Sequence, residues 1–455
     1  MEKKDLFYER KIPIKTNPEF KEKAYEYCEG YKEFINYAKT EREAVAYSLD
    51  IAKKNGYTEY KGQSLKAGDK IYYTSHNKAV IYSVIGKDLL NSGVRMMISH
   101  VDSPRLDLKQ VPLYEDKNIS YFKTHYYGGI KKYQWTAIPL SLHGVIIKTD
   151  GTSLTINIGE SENDPVFYIS DLMPHIGKDQ NSKTLAEGIA GEELNIINGS
   201  IPFDDEEGSV KYAVLKVINE KYGITERDFI TAEISAVPAI KAKDVGFDKS
   251  MVAAYGHDDK ICAYPSFKAL MQQEDVPQKT AVCVFADKEE IGSVGITGMD
   301  SDLVKNFLKR ICISTQSDYY TCIENSICLS ADVSGAFDPC FAAAYEYNNS
   351  PRINNGIVLT KYTGARGKSG SNDASAELFA KLVKIFDKAD IAWQTGEIGK
   401  VDQGGAGTVA SEIARLGMEV IDAGVPLLAM HSTTELAAKS DIYTMHLASD
   451  AFYKS

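Results

Sequence analysis

Apolar and polar positions along the chain fall into distinct textures. Residues 19–55 carry apolar side chains at helical spacing and predict two helices. The second opens with Thr40-Glu-Arg-Glu43, a pairing whose hydroxyl and carboxylate can each accept the other residue's backbone N–H, and it stops at Asn55-Gly56. Apolar runs at KIYYT, KAVIYSVIG and VRMMISHVD then predict strands, the last delivering His100 to a strand end. From about Leu108 to about Ile240 the pattern changes to short strands separated by turn residues. Within it, LHGVIIK and SLTINIG joined across Asp150-Gly151 predict a hairpin, and SVKYAVLKVINEKYG predicts one helix.

Beyond about Lys241 strands and helices alternate. A helix around 259–273 is followed by strand TAVCVFAD, helix LVKNFLKR, strand SICLSAD, strand GIVLTKY and helix DASAELFAKLVKIF. Strands IAWQTG and MEVID and a C-terminal helix from Thr433 complete the series. Such alternation predicts an α/β fold with a mainly parallel central sheet and helices on both faces. The expected organisation is an α/β domain of residues 1–107 plus 241–455, interrupted by a β-rich insert of residues 108–240. The chain contains no internal repeat and no low-complexity tract.

A length of 455 residues allows a large domain and a second one, and 44% hydrophobic with 25% charged residues is ordinary globular composition. A net charge of −11 argues against a nucleic-acid or anionic-membrane surface, because both need a dominant basic patch. The seven cysteines form no CxxC pair and most lie in apolar runs such as AVCVFA, so they read as buried free thiols in a reducing compartment. The N-terminal MEKKDLFYERKIPIK lacks an apolar signal core, and no stretch approaches 18 apolar residues. A cytoplasmic protein is the expectation.

Five short segments place acidic or imidazole side chains where an apolar strand ends or a helix begins. They are MMISHVD with His100 and Asp102, YGHDDK with Asp258, ADKEE with Glu289 and Glu290, LSADVSG with Asp332, and LLAMHST with His431. One such interruption is ordinarily a hydrogen-bonded polar group at the rim of a core. Five together, all His, Asp or Glu, point to a hydrolytic metal site at the mouth of an α/β sheet. Two histidines with several carboxylates favour zinc, and a spare glutamate beside a ligand supplies a general base. Carboxylate-rich sites also accept Mn²⁺ or Co²⁺. Asp102, two residues from His100, is placed to accept the second ring N–H and so fix the tautomer.

Two glycine-rich segments compete for attention. GARGKSGS (364–371) lacks the glycine that a phosphate loop needs, since Tyr362 stands there. QGGAGTVASEI (403–413) reads either as a loop admitting a substrate backbone or as a plain turn.

Taken together, SHVDSPRLDLK, YYGGIKKYQW, DLMPHIGK, GHDDK, DKEEIGS, ADVSGAFDP and AMHSTTELA resemble the aspartyl aminopeptidase/aminopeptidase I family of dinuclear zinc exopeptidases, in its bacterial form. The resemblance spans nearly the whole chain. It implies two zinc ions per chain bridged by Asp258, with His100 and Asp332 completing one site and Glu290 and His431 the other. It further implies that Asp102 orients His100 and that Glu289 is the base for attack of a metal-bridging hydroxide on the first peptide bond. The fold implied is zinc-exopeptidase-like. The insert would be a dimerisation domain, the assembly a dodecamer built from dimers, and His175 a group reaching a neighbouring subunit's substrate site. TAIPL after Trp135 and the GARGKSGSND stretch depart from the eukaryotic pattern and bear on specificity. Lys361, Arg366 and Lys368 are candidates for receiving an acidic N-terminal residue.

The expected function is therefore a metallo-aminopeptidase acting on peptides with a free N-terminus. Related dinuclear zinc hydrolases, a carboxypeptidase or an N-acyl amino-acid deacylase, would instead recognise a free carboxylate. A catalytically silent assembly or cargo protein would have no reason to keep so many buried charges.

Overall fold

Alternate residues of each central strand enter different hydrophobic cores, and this period-2 pattern builds the larger of two compact units in the computed structural model, which describes residues 6–148 and 150–455. That unit runs to Asp102 and resumes over Ala242–Met430 and Thr434–Ser455. Its nine-stranded sheet has the order Thr58–Glu59, Lys70–Ser75, Ala79–Val84, Ala281–Ala286, Arg95–His100, Ile327–Ser330, Glu419–Gly424, Ile357–Thr360, Trp393–Thr395. The central four, from Ala281–Ala286 to Glu419–Gly424, are mutually parallel, with antiparallel pairings flanking them.

Met97, Cys283 and Leu329 enter one core, with helices Pro18–Tyr37, Glu41–Lys54, His257–Met271, Ala376–Lys388 and Lys439–Tyr453 contributing side chains to it. Met96, Ile98, Val284 and Cys328 enter the other, with Leu303–Ser314, Tyr319–Glu324 and Ala410–Arg415. Helices on both faces of a mostly parallel sheet match the expected fold class. The helix Glu41–Lys54 opens on the reciprocal Thr40–Glu43 cap and is followed by Gly56 at a φ of +83°, a conformation that a side chain would strain.

One element differs from expectation. The C-terminal helix begins at Lys439 rather than Thr433, because Glu435–Ala438 is a strand. That segment pairs antiparallel with Met251–Ala254 and Pro426–Leu428 in a separate five-stranded sheet, which also includes Lys243–Val245 and Ser334–Gly335. The pull of Glu, Leu and Ala toward a helix is overridden by backbone pairing on both sides. These strands are two to four residues long, too short for periodicity to reveal.

The second unit comprises Ser103–Lys241 with His431–Thr433. Its six-stranded sheet is antiparallel throughout, in the order Ser153–Ile158, Leu140–Ile147, Ala232–Pro238, Arg105–Asp116, Ile119–Tyr127, Ile196–Gly199. The predicted hairpin joins the first two of these, although Thr149 in its turn lies outside the described residues. Helix Ser209–Tyr222 matches the single long helical pattern expected there. No helix among the described residues is long and apolar enough to cross a membrane.

Candidate metal centre

The strand Arg95–His100 is buried along its whole length and ends at His100, which is 1% exposed. Its Nδ1 lies 3.0 Å from the Asp102 carbonyl oxygen and 3.3 Å from Asp102 Oδ1. Both partners only accept, so Nδ1 carries the proton and the Nε2 lone pair points the other way. There Nε2 meets Asp258 Oδ1 at 3.0 Å and Asp332 Oδ1 at 3.9 Å. A lone pair facing carboxylate oxygens at such distances calls for a proton or a cation between them.

Asp102 also organises the acidic turn. Its two carboxylate oxygens accept the backbone N–H groups of Glu289 and Glu290, each at 3.2 Å. The 3-10 turn Glu289–Ile291 follows the buried strand Ala281–Ala286 and is framed by left-handed Lys288 and Gly292. Glu289 Oε2 lies 3.9 Å from His100 Nε2, and its side chain keeps 17% of its surface exposed. Asp258 sits at the entry to the helix His257–Met271, where Asp258 and Asp259 depart from helical backbone angles. The Asp258 N–H is held at 3.1 Å by Glu435, a 1% exposed residue of the strand described above. Glu435 and Asp259 had no role assigned from the sequence. Glu435 lies four residues past His431, and only its pairing in the small sheet reveals what it touches.

Two sets of ligand-capable atoms, each within 4.8 Å of one another, emerge: His100, Asp258 and Asp332, and then Asp258, Glu290 and His431. Asp258 belongs to both. His431 follows the strand Pro426–Leu428 at a φ of +63°, and its Nδ1 donates to the Gly129 carbonyl at 3.0 Å, leaving Nε2 as its ligand atom. The donor set of imidazole nitrogens and carboxylate oxygens suits zinc, and two atoms each bound at roughly 2.0–2.2 Å to one zinc stand about 3–3.5 Å apart. The 3.0 Å between His100 and Asp258 fits that requirement.

Electrostatics point the same way. Burial drives the Asp332 carboxyl well above the usual carboxylate range, and the neighbouring Asp259 carboxylate adds to the effect. Asp259 is raised by burial too, with His100 opposing and Asp258 reinforcing. Burial opposes protonation of His100, but Asp102, Asp258 and Asp332 outweigh it and lift its pKa well above the ordinary value. The acids crowd one another, and a cation among them relieves the repulsion.

His175 is exposed on the 3-10 turn Pro174–Ile176 of the second unit and belongs to neither ligand set. Lys361 and Lys368 both pair with Asp373, Lys368 at 3.1 Å, and Arg366 lies on the exposed loop between them. The glycines of QGGAGT approach the chain itself: a Cβ on Gly405 would meet the Ala365 backbone at 2.4 Å, and one on Gly404 the Ile398 carbonyl at 1.7 Å. Those close approaches hold the segment's backbone against two other stretches of the chain.

Comparison with known proteins gives concordant matches. The aminopeptidase I zinc metalloprotease (M18) family profile matches residues 34–453. A Clostridium acetobutylicum protein described as a probable M18 family aminopeptidase 1 is 48% identical over 434 residues, 93% of each chain. The crystal structure of an M18 aminopeptidase from Thermotoga maritima, 40% identical, matches with a TM-score of 0.93 over 98% of this chain and all of that one. The S. cerevisiae mApe1 dodecamer, 21% identical, matches with a TM-score of 0.77 over 96% of this chain and 97% of that one, a likeness of fold.

The raised proton affinities of His100 and Asp332 have a measurable consequence. Both groups must shed protons to bind a cation, so zinc affinity of the metal-free protein should fall as pH is lowered from about 8 to about 6, with proton release on binding. Calorimetric titration in two buffers of different ionisation enthalpy measures both quantities. An affinity that does not change with pH contradicts the assignment of this cluster as the ligand set.

Proposed function

Because the chain belongs to the aminopeptidase I zinc metalloprotease (M18) family and is a zinc metalloaminopeptidase, we propose that it holds two zinc ions and cleaves the first peptide bond of its substrates with Glu289 as general base. The observation that carries this reading is the presence of Asp258 in both ligand sets. In this reading Asp258 would be shared by both ions, with His100 and Asp332 holding one and Glu290 and His431 the other. Manganese or cobalt would satisfy the same donors. Bound zinc supplies Lewis acidity and lowers the pKa of water toward neutrality.

The protein side of the reaction follows from placement. Asp102 holds the His100 ring through Nδ1 and, through its carboxylate, the backbone of the turn that carries Glu289 and Glu290. Imidazole orientation and base position are therefore set by one residue. Glu289, beside His100 and partly open to solvent, takes the proton of the attacking water and passes it to the nitrogen of the departing amine. The substrate's free ammonium group is drawn toward the surrounding carboxylates.

Preference for an acidic N-terminal residue is the finer proposal. With Lys361 and Lys368 engaged by Asp373, Arg366 is the cation to test. We assign dimerisation to the β-rich insert, with a dodecamer built from dimers as the assembly, supported by the fold shared with the mApe1 dodecamer and by exposed Leu172, Met173, Ile176 and Ile201. His175, exposed next to Met173 and Ile176, is the side chain we propose to reach a neighbouring subunit's substrate. Cytoplasmic residence is proposed from the cysteines, six buried and all unpaired among the described residues.

Glu289→Gln should retain metal and fold yet lose turnover by roughly 10²-fold or more. Near-normal kcat with intact zinc content would remove Glu289 from the role of base. A panel of aminoacyl reporters with acidic, neutral and basic residues, each free and N-acetylated, tests the substrate class. Activity on free amines alone is expected. Cleavage of acetylated reporters would contradict an aminopeptidase, and equal rates across side chains would contradict the acidic preference.

A further inference from the structure

One buried charge in the larger unit has no part in the reaction. Strands Ile327–Ser330, Glu419–Gly424 and Ile357–Thr360 lie side by side, and their register sets Ser330 and Thr360 on either side of Asp422. Directly opposed residues share one face of a sheet, so hydroxyl, carboxylate and hydroxyl form a row across three strands. Two residues earlier in the first two strands stand Cys328 and Val420, members of one apolar core. The row is thus a polar line at the rim of that core. Ser330 is 0%, Asp422 3% and Thr360 4% exposed.

A fourth oxygen comes from Thr408, just ahead of the helix Ala410–Arg415. Burial pushes the Asp422 carboxyl up to about 6, while the Ser330 and Thr408 hydroxyls act on it in the opposite direction. Those hydroxyls stand close by without meeting hydrogen-bond geometry. Among the described residues neither carboxylate oxygen of Asp422 has a hydrogen-bond partner, and neither does Ser330 Oγ. At neutral pH the carboxyl is ionised, and an ionised carboxylate in an apolar rim without a donor is among the costlier arrangements in a protein.

Hydroxyl oxygens gathered around one buried carboxylate that has no hydrogen-bond partner are what a hard cation accepts. A single negative charge with neutral hydroxyls matches a monovalent ion, whereas divalent sites recruit several carboxylates. We propose that Asp422, Ser330, Thr408 and Thr360 form a binding site for a monovalent cation, K⁺ or Na⁺, separate from the zinc ligands. The ion joins three neighbouring strands to the loop entering a helix. Its influence reaches the metal centre through Gly424, on which a Cβ would lie 1.8 Å from the Asp332 carbonyl oxygen. The strand of Asp422 and the chain of Asp332 are therefore in backbone contact, and steadying one steadies the other.

The test uses zinc-saturated protein at constant ionic strength in potassium, sodium or choline chloride. The thermal midpoint should be higher by about 2 °C or more in K⁺ or Na⁺ than in choline. Thallium-205 NMR should show one bound Tl⁺ displaced by K⁺. Both effects should vanish in Asp422→Asn and weaken in Ser330→Ala, with zinc content equal in every salt. The same midpoint in choline as in K⁺ and Na⁺, with no Tl⁺ signal from the wild type, would overturn the proposal. So would a cation effect that persists in Asp422→Asn, or one that tracks gain or loss of zinc. If Asp422→Asn does not fold, the wild-type Tl⁺ measurement and Ser330→Ala decide the matter.

Discussion

Mutual repulsion among buried carboxylates is the constraint on which the larger unit depends. Asp258 and Asp259, from one helix entry, and Asp332, just past the strand Ile327–Ser330, are carried into the surroundings of His100 at the end of another strand. An isolated buried carboxylate costs several kcal/mol or takes up a proton, and a group of them costs more. A divalent cation held among them would resolve that conflict. The architecture supplies the rigid frame, with parallel strands whose carboxyl ends converge, and the metal supplies the compensation.

The supporting contacts show how the frame is kept in register with the chemistry. Asp102 touches the imidazole of His100 and the backbone of the turn bearing Glu289 and Glu290, so it ties two strand ends to each other. Glu435, projected from a strand of the small sheet, grips the backbone of Asp258. His431 is aimed by the Gly129 carbonyl in the same manner as His100 by Asp102. In each case one ring nitrogen is committed to a carbonyl acceptor and the ring is thereby oriented, as metal-binding histidines generally are.

Much of this was legible in the sequence because strand ends are visible as polar interruptions of apolar runs. VRMMISHVD and SICLSADVSG read as strands from composition alone, and the alternating series beyond Lys241 foretold the layered α/β fold. What escaped the reading has a common physical cause. Glu435–Ala438 has the composition of a helix, and only pairing with Met251–Ala254 and Pro426–Leu428 makes it a strand. The glycines near 404 are spaced like those of a ligand-binding loop, yet their need for space comes from Ala365 and Ile398, residues that no local pattern links to them. The row of Ser330, Asp422 and Thr360 likewise exists only through register between strands far apart in the chain. Local chemistry is written in sequence, whereas non-local backbone approach is not.

The bridging role of Asp258 is the central claim, and zinc stoichiometry tests it most directly. Metal content would be measured by atomic emission on desalted wild-type protein and on Asp258→Asn, with circular dichroism confirming that both are folded. The account predicts about two zinc ions per wild-type chain and loss of both sites' tight binding in the variant, because one side chain serves both. A wild-type chain holding a single ion, or a folded variant that still holds two, would contradict it.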